Sequence, residues 1–278
     1  MVEFDKAKGR AEQFKGEVEQ AVGRATGSLE TQARGMVDEA RGKAVEAVAD
    51  FKGEVNPVTI ADREAEAAIV ELISRHRPDD GILAEEGGAA ASTSGRRWVI
   101  DPLDGTVNFL HGIPQVAVSI GLEDPDGTVV GVVRDVFRDE EFVALRGDGA
   151  TRNGSPIRVS ACTEMRRALV STGFAYDRQT RAAEYTRPVT AVLEVTQGIR
   201  RNGSAAIDLA WVACGRLDGH WEFNLSPWDV SAGFLLVTEA GGVVLGFDGP
   251  PDHRGFTAAT PAIAAALHGV VAEARVRR

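Results

Sequence analysis

The sequence predicts a layered α/β protein, and three patterns support this prediction. Residues 115–122 read Q-V-A-V-S-I-G-L and alternate in polarity, as expected for a strand in a sheet with one covered face. Residues 124–127 read D-P-D-G, which favours a hairpin turn directly after that strand. Further along the chain, helical patterns alternate with short apolar runs. A meander of strands followed by alternating strands and helices is typical of layered α/β proteins.

The first segment, residues 1–53, differs from the rest of the chain. It is rich in Lys, Glu, Ala and Gly, and residues 7–23 align with residues 33–49 at a shift of 26 residues. Valine and alanine recur there at helical spacing, but the glycines destabilise a helix, so we predict a helical or partly disordered segment. Its repeated K-G and A-x-G pattern resembles the CsbD-like family of small stress-associated bacterial proteins. A solvated, charged tail is the alternative interpretation.

Residues 54–278 are predicted to form one packed domain. Thr59 and Asp62 match a T-x-x-D capping box, and the helix that they open stops before Pro78. Further helices are predicted near 181–196, 204–214, 228–240 and 260–273. Strands are predicted at 97–101, 115–123, 129–137, 141–146, 168–172, 219–223 and 242–247.

The composition excludes several classes of partner. The 278 residues carry a formal net charge of -10, which argues against nucleic acid or an anionic membrane as a partner. No run approaches the ~18 apolar residues of a membrane span, and the charged N-terminus lacks the apolar core of a signal peptide. We therefore expect a cytoplasmic protein without a membrane segment.

Three short stretches place carboxylates at the ends of predicted elements. Asp101 and Asp104 flank a proline in D-P-L-D-G-T, after an apolar strand. Glu85 and Glu86 precede two glycines, and Asp229 lies in the first turn of a helix that begins with a proline. Each stretch also has an ordinary explanation: turn or cap residues, solvated loop glutamates, and an acid at the positive end of a helix.

Together the three stretches predict a metal site. Converging carboxylates would repel one another by several kcal/mol, on the order of what nearby charges exert in proteins, unless cations neutralise them. A donor set of oxygens without Cys or His suits Mg²⁺. Two such ions that share a carboxylate can activate water and stabilise the leaving oxygen of a phosphate ester.

These motifs carry a family resemblance. The stretches A-E-E-G-G, W-V-I-D-P-L-D-G-T-V-N-F and S-P-W-D-V-S-A-G resemble, in this order, those of the inositol monophosphatase family. The resemblance covers about residues 54–275. It implies the αβαβα architecture of sugar phosphatases with mixed sheets, an Mg²⁺-dependent enzyme that Li⁺ inhibits, and a homodimer. The implied reaction is hydrolysis of inositol 1-phosphate, or a similar polyol phosphate, to the alcohol and phosphate.

The resemblance also implies the metal ligands. Glu85, Asp101 and the carbonyl of Leu103 would hold the activating metal ion, and Asp101, Asp104 and Asp229 would hold the second. Asp62 matches an acid that lies near the metals through water in the family, which competes with its interpretation as a helix cap.

Catalytic and substrate-binding residues follow from the same resemblance. The implied catalytic residues are Glu85, Asp104 and Thr106, with Thr106 and Glu85 orienting and deprotonating the attacking water. The implied substrate-binding residues cradle the phosphate or contact the hydroxyls of the sugar alcohol; they are Asp104, Gly105, Thr106, Ala205, Glu222 and Asp229. For Glu222, a carboxylate at the solvent-exposed rim is the alternative interpretation. Arg201 and His220 are given no role in this set.

Two other functions remain open at this stage. A phosphatase of the same fold would act on histidinol phosphate, fructose 1,6-bisphosphate or a 3′-phosphonucleotide. A non-catalytic stress or regulatory protein would use the phosphatase body only as a scaffold. The residues before Asp62 also depart from the family pattern, which puts the completeness of a third, weaker metal site in doubt.

Overall fold

The computed structural model describes residues 58–276, with side chains from residue 61 onward. The predicted CsbD-like segment, residues 1–53, lies outside the described residues. The described part contains six α-helices, thirteen strands and one 3₁₀ turn. The helices are α1 (Val58–His76), α2 (Thr106–Leu110), α3 (Arg178–Leu193), α4 (Ala205–Ala213), α5 (Pro227–Glu239) and α6 (Pro261–Val276).

The strands form two sheets. The larger sheet has the order β2-β1-β3-β4-β5-β6-β7-β8, and the smaller one has the order β10-β9-β11-β13-β12. Both sheets are mixed, since β1 and β3 are parallel while β3 and β4 are antiparallel, and β9 and β11 are parallel while β11 and β13 are antiparallel. The strands are β1 (Gly81–Ala84), β2 (Ala89–Ala90), β3 (Arg97–Asp104), β4 (Ala117–Asp124), β5 (Gly127–Asp135), β6 (Glu140–Leu145), β7 (Gly149–Arg152), β8 (Ser155–Pro156), β9 (Leu169–Thr172), β10 (Gly198–Arg200), β11 (Gly219–Phe223), β12 (Val243–Gly246) and β13 (Gly255–Ala259).

The helices and sheets stack as αβαβα layers. Helix α1 covers the outer face of the larger sheet, α4 and α5 lie between the sheets, and α3 and α6 cover the outer face of the smaller sheet. Helix α4 is apolar on almost every side, and all but one of its residues are buried, as expected for a helix between two sheets. This arrangement confirms the predicted layered fold with mixed sheets.

The predicted capping box at the start of α1 is wrong. The helix already includes Val58, so Thr59 lies inside it and not at its cap position. Both carboxylate oxygens of Asp62 are buried and have no hydrogen-bond partner in the described part of the chain. The carboxylate of Asp62 therefore does not serve the helix end.

Candidate active site

Asp101 and Asp104 stand at the carboxyl end of β3, where the strand leaves its regular pairing. The register between β3 and β4 shifts between these two residues. Asp101 is 1% exposed, and its Oδ1 accepts a hydrogen bond from the amide of Leu103 at 3.0 Å. The chain turns at Gly105, whose φ of 96° is the left-handed conformation that glycine adopts without strain. The turn leaves both carboxylates at the same end of the strand.

Asp104 is bonded to the amino end of α4, about a hundred residues further along the chain. Its Oδ2 accepts hydrogen bonds from the Ser204 hydroxyl at 2.6 Å and from the Ala206 amide at 2.7 Å. Its Oδ1 accepts a longer bond from the Ala205 amide at 3.3 Å. A carboxylate at this end of a helix also interacts favourably with the helix dipole. Asp104 thus joins the larger sheet to the middle helix layer.

Asp229 reaches the same place from α5. The helix begins at Pro227, as predicted, and Asp229 lies in its first turn with Oδ2 accepting from the Ser226 amide at 2.6 Å. Carboxylate oxygens of Asp101, Asp104 and Asp229 all lie within 4.8 Å of one another. The predicted convergence of these three acids is therefore present.

Glu85 follows β1 directly and lies on a loop that α1 holds in place. Glu66 of α1 is buried and accepts hydrogen bonds from the amides of Glu86 at 2.7 Å and Gly88 at 2.8 Å. Burial raises the pKa of Glu85 to about 7, although a hydrogen bond with Asp101 lowers it. Glu85 is thus the fourth carboxyl group beside the cluster.

Burial and mutual repulsion dominate the electrostatics of this cluster. Burial first, then Asp104, raises the pKa of Asp229 to about 8. Burial, followed by the charges of Glu85 and Asp104, raises the pKa of Asp101 well above its ordinary value. Buried oxygen donors that cannot all ionise without a neutralising charge are the donor set of a hard divalent cation. The residues present therefore fit Mg²⁺.

The predicted site residues line a single cavity of about 170 Å³. Thr106 and Leu103 are linked there, since the Thr106 hydroxyl donates to the Leu103 carbonyl at 3.1 Å. Glu222 of β11 is buried and not at the solvent-exposed rim. The cavity is lined by Glu85, Asp101, Leu103, Asp104, Gly105, Thr106, Ala205, Glu222 and Asp229, together with residues that include Arg178, Arg201, Ser204 and Asp208.

Asp62 lies outside the lining of this cavity but close to its acids. Burial, then the charges of Glu86 and Glu85, raises its pKa to about 8. The failure of the capping interpretation and this proximity favour the alternative role near the metals.

Three groups of residues at this site were not predicted from the sequence. Ser204 caps α4 and bonds to Asp104, and a serine before an apolar helical run is a signal that could have revealed the cap. Glu66 had no such signal, because an acid in a helix is usually solvated. Arg201 and Arg178 line the cavity, but an arginine near a turn does not indicate a site by itself.

The fold and the site together define a class of protein. An αβαβα stack with crowded carboxylates in a cavity between its sheets is the architecture of metal-dependent phosphatases that act on phosphorylated small molecules. The chain belongs to the inositol monophosphatase family, whose family model matches residues 18–278. This family is metal-dependent.

Sequence relatives and solved structures agree with this assignment. The chain is 50% identical over 195 residues to an inositol-1-monophosphatase of Synechocystis sp., covering 70% of this chain and 68% of that protein. It is 44% identical over 202 residues to the Nus factor SuhB of Escherichia coli K12, covering 72% of this chain and 76% of that protein. An inositol monophosphatase structure from Anabaena (Nostoc) sp. matches with a TM-score of 0.76 and 43% identity, covering 86% of this chain and 96% of that one.

The family match begins at residue 18, within the segment for which the CsbD-like resemblance was stated. That resemblance and the boundary at residue 54 remain predictions. Among the described residues, none of the helices combines the length and apolar character that a membrane span requires.

Proposed function

We propose that this protein is an Mg²⁺-dependent phosphomonoesterase that hydrolyses inositol 1-phosphate, or a similar polyol phosphate, to the alcohol and phosphate. The observation that carries the proposal is the meeting of Asp101, Asp104 and Asp229 within 4.8 Å, in a cavity that Glu222 also lines. Carboxylates with raised pKa values suit a divalent cation, and the further buried carboxyl group of Glu222 suits a hydroxyl-rich substrate.

The metal ligands follow from the carboxylates and the strand end. Glu85, Asp101 and the Leu103 carbonyl would hold one Mg²⁺ ion, and Asp101, Asp104 and Asp229 would hold the other. When bound, Mg²⁺ supplies Lewis acidity to the phosphate ester and to its leaving oxygen.

The chain's own residues orient the reactants. The Thr106 hydroxyl donates to the Leu103 carbonyl, so its oxygen is free to accept a hydrogen bond from a water molecule and orient it, and the Glu85 carboxylate takes the proton of that water. The amides of Gly105 and Thr106 would hold the phosphate. Attack on phosphorus forms the new P–O bond and breaks the ester P–O bond. The departing alkoxide takes a proton from solvent water to become the alcohol, and Glu85 returns its proton to solvent. Asp104, Asp229, Ala205 and Glu222 fix the hydroxyls of that alcohol.

Phosphate release from inositol 1-phosphate, with Mg²⁺ and with a chelator, tests the proposal. We expect turnover only with Mg²⁺, and loss of activity by orders of magnitude in Asp229→Asn and Asp104→Asn. Asp104 also bonds to the start of α4, so the thermal unfolding of both variants is measured alongside. Asp126→Asn, an exposed carboxylate in the β4–β5 turn, is the matched control. Equal rates for wild type and Asp229→Asn would refute the site assignment.

A second substrate class has one observation in its favour. Arg178 and Arg201 line the same cavity and supply positive charge to it. Such charge suits a substrate with a second anionic group, for example fructose 1,6-bisphosphate or a 3′-phosphonucleotide. A panel of these compounds with histidinol phosphate decides between the classes by kcat/KM. No turnover of any member would favour the non-catalytic scaffold.

Four further properties belong to the same proposal. We propose inhibition by Li⁺, a homodimer, a cytoplasmic location, and a division at residue 54 between the N-terminal segment and the catalytic domain. Li⁺ titration of the Mg²⁺-dependent rate and sedimentation of the full chain test the first two.

A further inference from the structure

His220 lies directly behind Glu222, on the same strand and the same face. The two residues are two positions apart on β11, so their side chains point to the same side of the sheet. His220 is fully buried, and its Nε2 lies 3.3 Å from Oε2 of Glu222. Nε2 has no hydrogen-bond partner among the described residues. A small rotation of the Glu222 carboxylate would complete the contact.

The other ring nitrogen of His220 is already occupied. Nδ1 lies 2.9 Å from the hydroxyl of Ser171 on β9 and 3.8 Å from Oδ2 of Asp208 on α4. Oδ1 of Asp208 accepts from Asn202 at 2.6 Å, and the distance from its Oδ2 to Nδ1 is beyond that of a hydrogen bond. Burial lowers the pKa of His220, so the imidazole is neutral and carries one N–H. A hydrogen bond from His220 to Glu222 requires the tautomer in which the Ser171 hydroxyl donates to Nδ1 and the ring N–H lies on Nε2, facing Glu222.

The Glu222 carboxylate is confined but lacks hydrogen bonds. A Cβ atom added to Gly173 would lie 1.9 Å from its Oε1, so the carboxylate occupies the space that this glycine leaves free. Burial raises the pKa of Glu222 to about 8, Arg201 lowers it, and no donor in the described part of the chain makes a hydrogen bond to it. A hydrogen bond donated to this carboxyl group would favour its ionised form, which burial alone disfavours. His220 offers one from behind, and the cavity leaves room for a second.

We propose that His220 is a positioning residue, whose Nε2–H fixes Glu222 so that the carboxylate accepts a hydroxyl of the substrate. His220 thereby sets the preference for hydroxyl-rich phosphate esters over simple ones. This inference rests on the proposed phosphatase function, because it assigns how the same cavity recognises the alcohol part. A purely structural role would instead have His220 fill the core beside Phe256, whose ring centroid lies 5.5 Å away.

The test compares two substrates in three variants. His220→Leu removes the donor, His220→Gln retains an N–H at a similar reach, and His268→Leu is the matched loss of a histidine outside the cavity. For inositol 1-phosphate we expect His220→Leu to raise KM about tenfold with kcat almost unchanged, the size of one lost hydrogen bond to a charged group. For p-nitrophenyl phosphate, which has no aliphatic hydroxyls, KM should not change. In His220→Gln, KM for inositol 1-phosphate should return most of the way to the wild-type value. His268→Leu should resemble wild type.

A double-mutant cycle separates action through Glu222 from a general loss of packing. Glu222→Gln should raise KM for inositol 1-phosphate, and adding His220→Leu to it should cause little further change. Equal losses on both substrates, no rescue by Gln, or additive effects in the double variant would overturn the inference while leaving the phosphatase function intact.

Failure of the proposed function is recognised separately. A wild type that hydrolyses p-nitrophenyl phosphate without any preference for polyol phosphates contradicts both proposals. Nitrogen-15 spectra of the histidine rings provide a readout that needs no turnover. They should show the His220 proton on Nε2, and a proton on Nδ1 would contradict the positioning role.

Discussion

At the scale of single residues, Glu66 controls the loop that brings Glu85 to the acidic cluster. Its two carboxylate oxygens accept from two amides of that loop, although it lies about twenty residues earlier in the chain. Hydrogen bonds from amides to a buried carboxylate are stronger than neutral ones, and an amide left without its acceptor costs free energy. Glu66 therefore supports a ligand without itself lining the cavity.

Replacing Glu66 should weaken both the fold and the metal site. In Glu66→Ala, the free energy of unfolding should fall by about 2 to 4 kcal/mol, because two bonds to a charged group are lost. Mg²⁺ affinity should fall about 10- to 100-fold, as for other residues that hold a ligand in place. Urea unfolding and Mg²⁺ titration of the rate measure the two effects. Glu64→Ala, an exposed acid on the same helix, should change neither.

The carboxylates of the cavity could be predicted from the sequence, but the residues that hold them in position could not, for a physical reason. Asp101, Asp104 and Asp229 stand within two residues of a proline or glycine at element ends, so their local sequence already indicates an unusual position. Glu66 and His220 are defined by partners on other elements, and their local sequence resembles that of a solvated acid or an ordinary strand residue. Asp62 shows the opposite error, since a local capping pattern was present and the tertiary structure overrode it.

At the scale of elements, periodicity located the longer helices and strands β9, β11 and β12 well, but six other strands of the described part were not predicted. Helix α5 begins within one residue of the predicted start, and α4 also begins within one residue. Strand β13 was missed because G-F-T-A-A consists mostly of small residues, and it is buried on both faces without alternation. Burial on both faces removes the periodic signal on which such predictions depend.

The start of α4 is the element boundary on which the site depends most. Ser204 caps this helix by accepting from the Ile207 amide at 3.3 Å and also donates to Asp104 at 2.6 Å. Ser204→Ala should lower the free energy of unfolding by about 1 to 3 kcal/mol, from the lost cap and the lost bond to a carboxylate. The rate should fall as well, because Asp104 loses a bond that orients it. Thermal unfolding and kcat/KM report these effects.

Ser155→Ala serves as the control for this variant. Ser155 is exposed, lies on the two-residue strand β8 and belongs to none of the cavity motifs. Unchanged stability in Ser204→Ala would show that the helix start does not depend on this serine.

At the scale of the whole molecule, the fold concentrates acids where two sheets and the middle helices meet. The chain as a whole is acidic, with a formal net charge of -10, so distant charges do not relieve the repulsion in the cavity. Strand β3 and helices α4 and α5 each bring a rigid end to this point, and the layered packing prevents the carboxylates from moving apart. The stability of the folded chain is therefore linked to the binding of protons or cations that neutralise these carboxylates.

This linkage predicts how pH and Mg²⁺ act together on stability. Folding raises the pKa of Asp229 and Asp62 from 3.8 to about 8, and that of Glu85 from 4.5 to about 7. Between pH ~4 and ~8 the folded chain thus binds more protons than the unfolded chain. The contribution of these groups to the free energy of unfolding therefore falls as the pH rises through this window. Mg²⁺ binds the ionised carboxylates and competes with those protons, so its stabilising effect should grow with pH.

Thermal unfolding with a chelator or with saturating Mg²⁺, at pH 5.5 and pH 8, measures this linkage. We expect the difference in melting temperature between the two conditions to be largest at pH 8 and small at pH 5.5. At each pH, the difference between the two melting temperatures cancels the pH dependence of groups that do not bind Mg²⁺. Asp177 is such a group, and its pKa is lowered first by its hydrogen bond with Tyr185 and then by Arg181. In Asp229→Asn the difference should shrink at pH 8, because one ligand of the cluster is gone. A Mg²⁺ effect of equal size at both pH values would show that the ion does not bind at these carboxylates, since binding there must displace their protons.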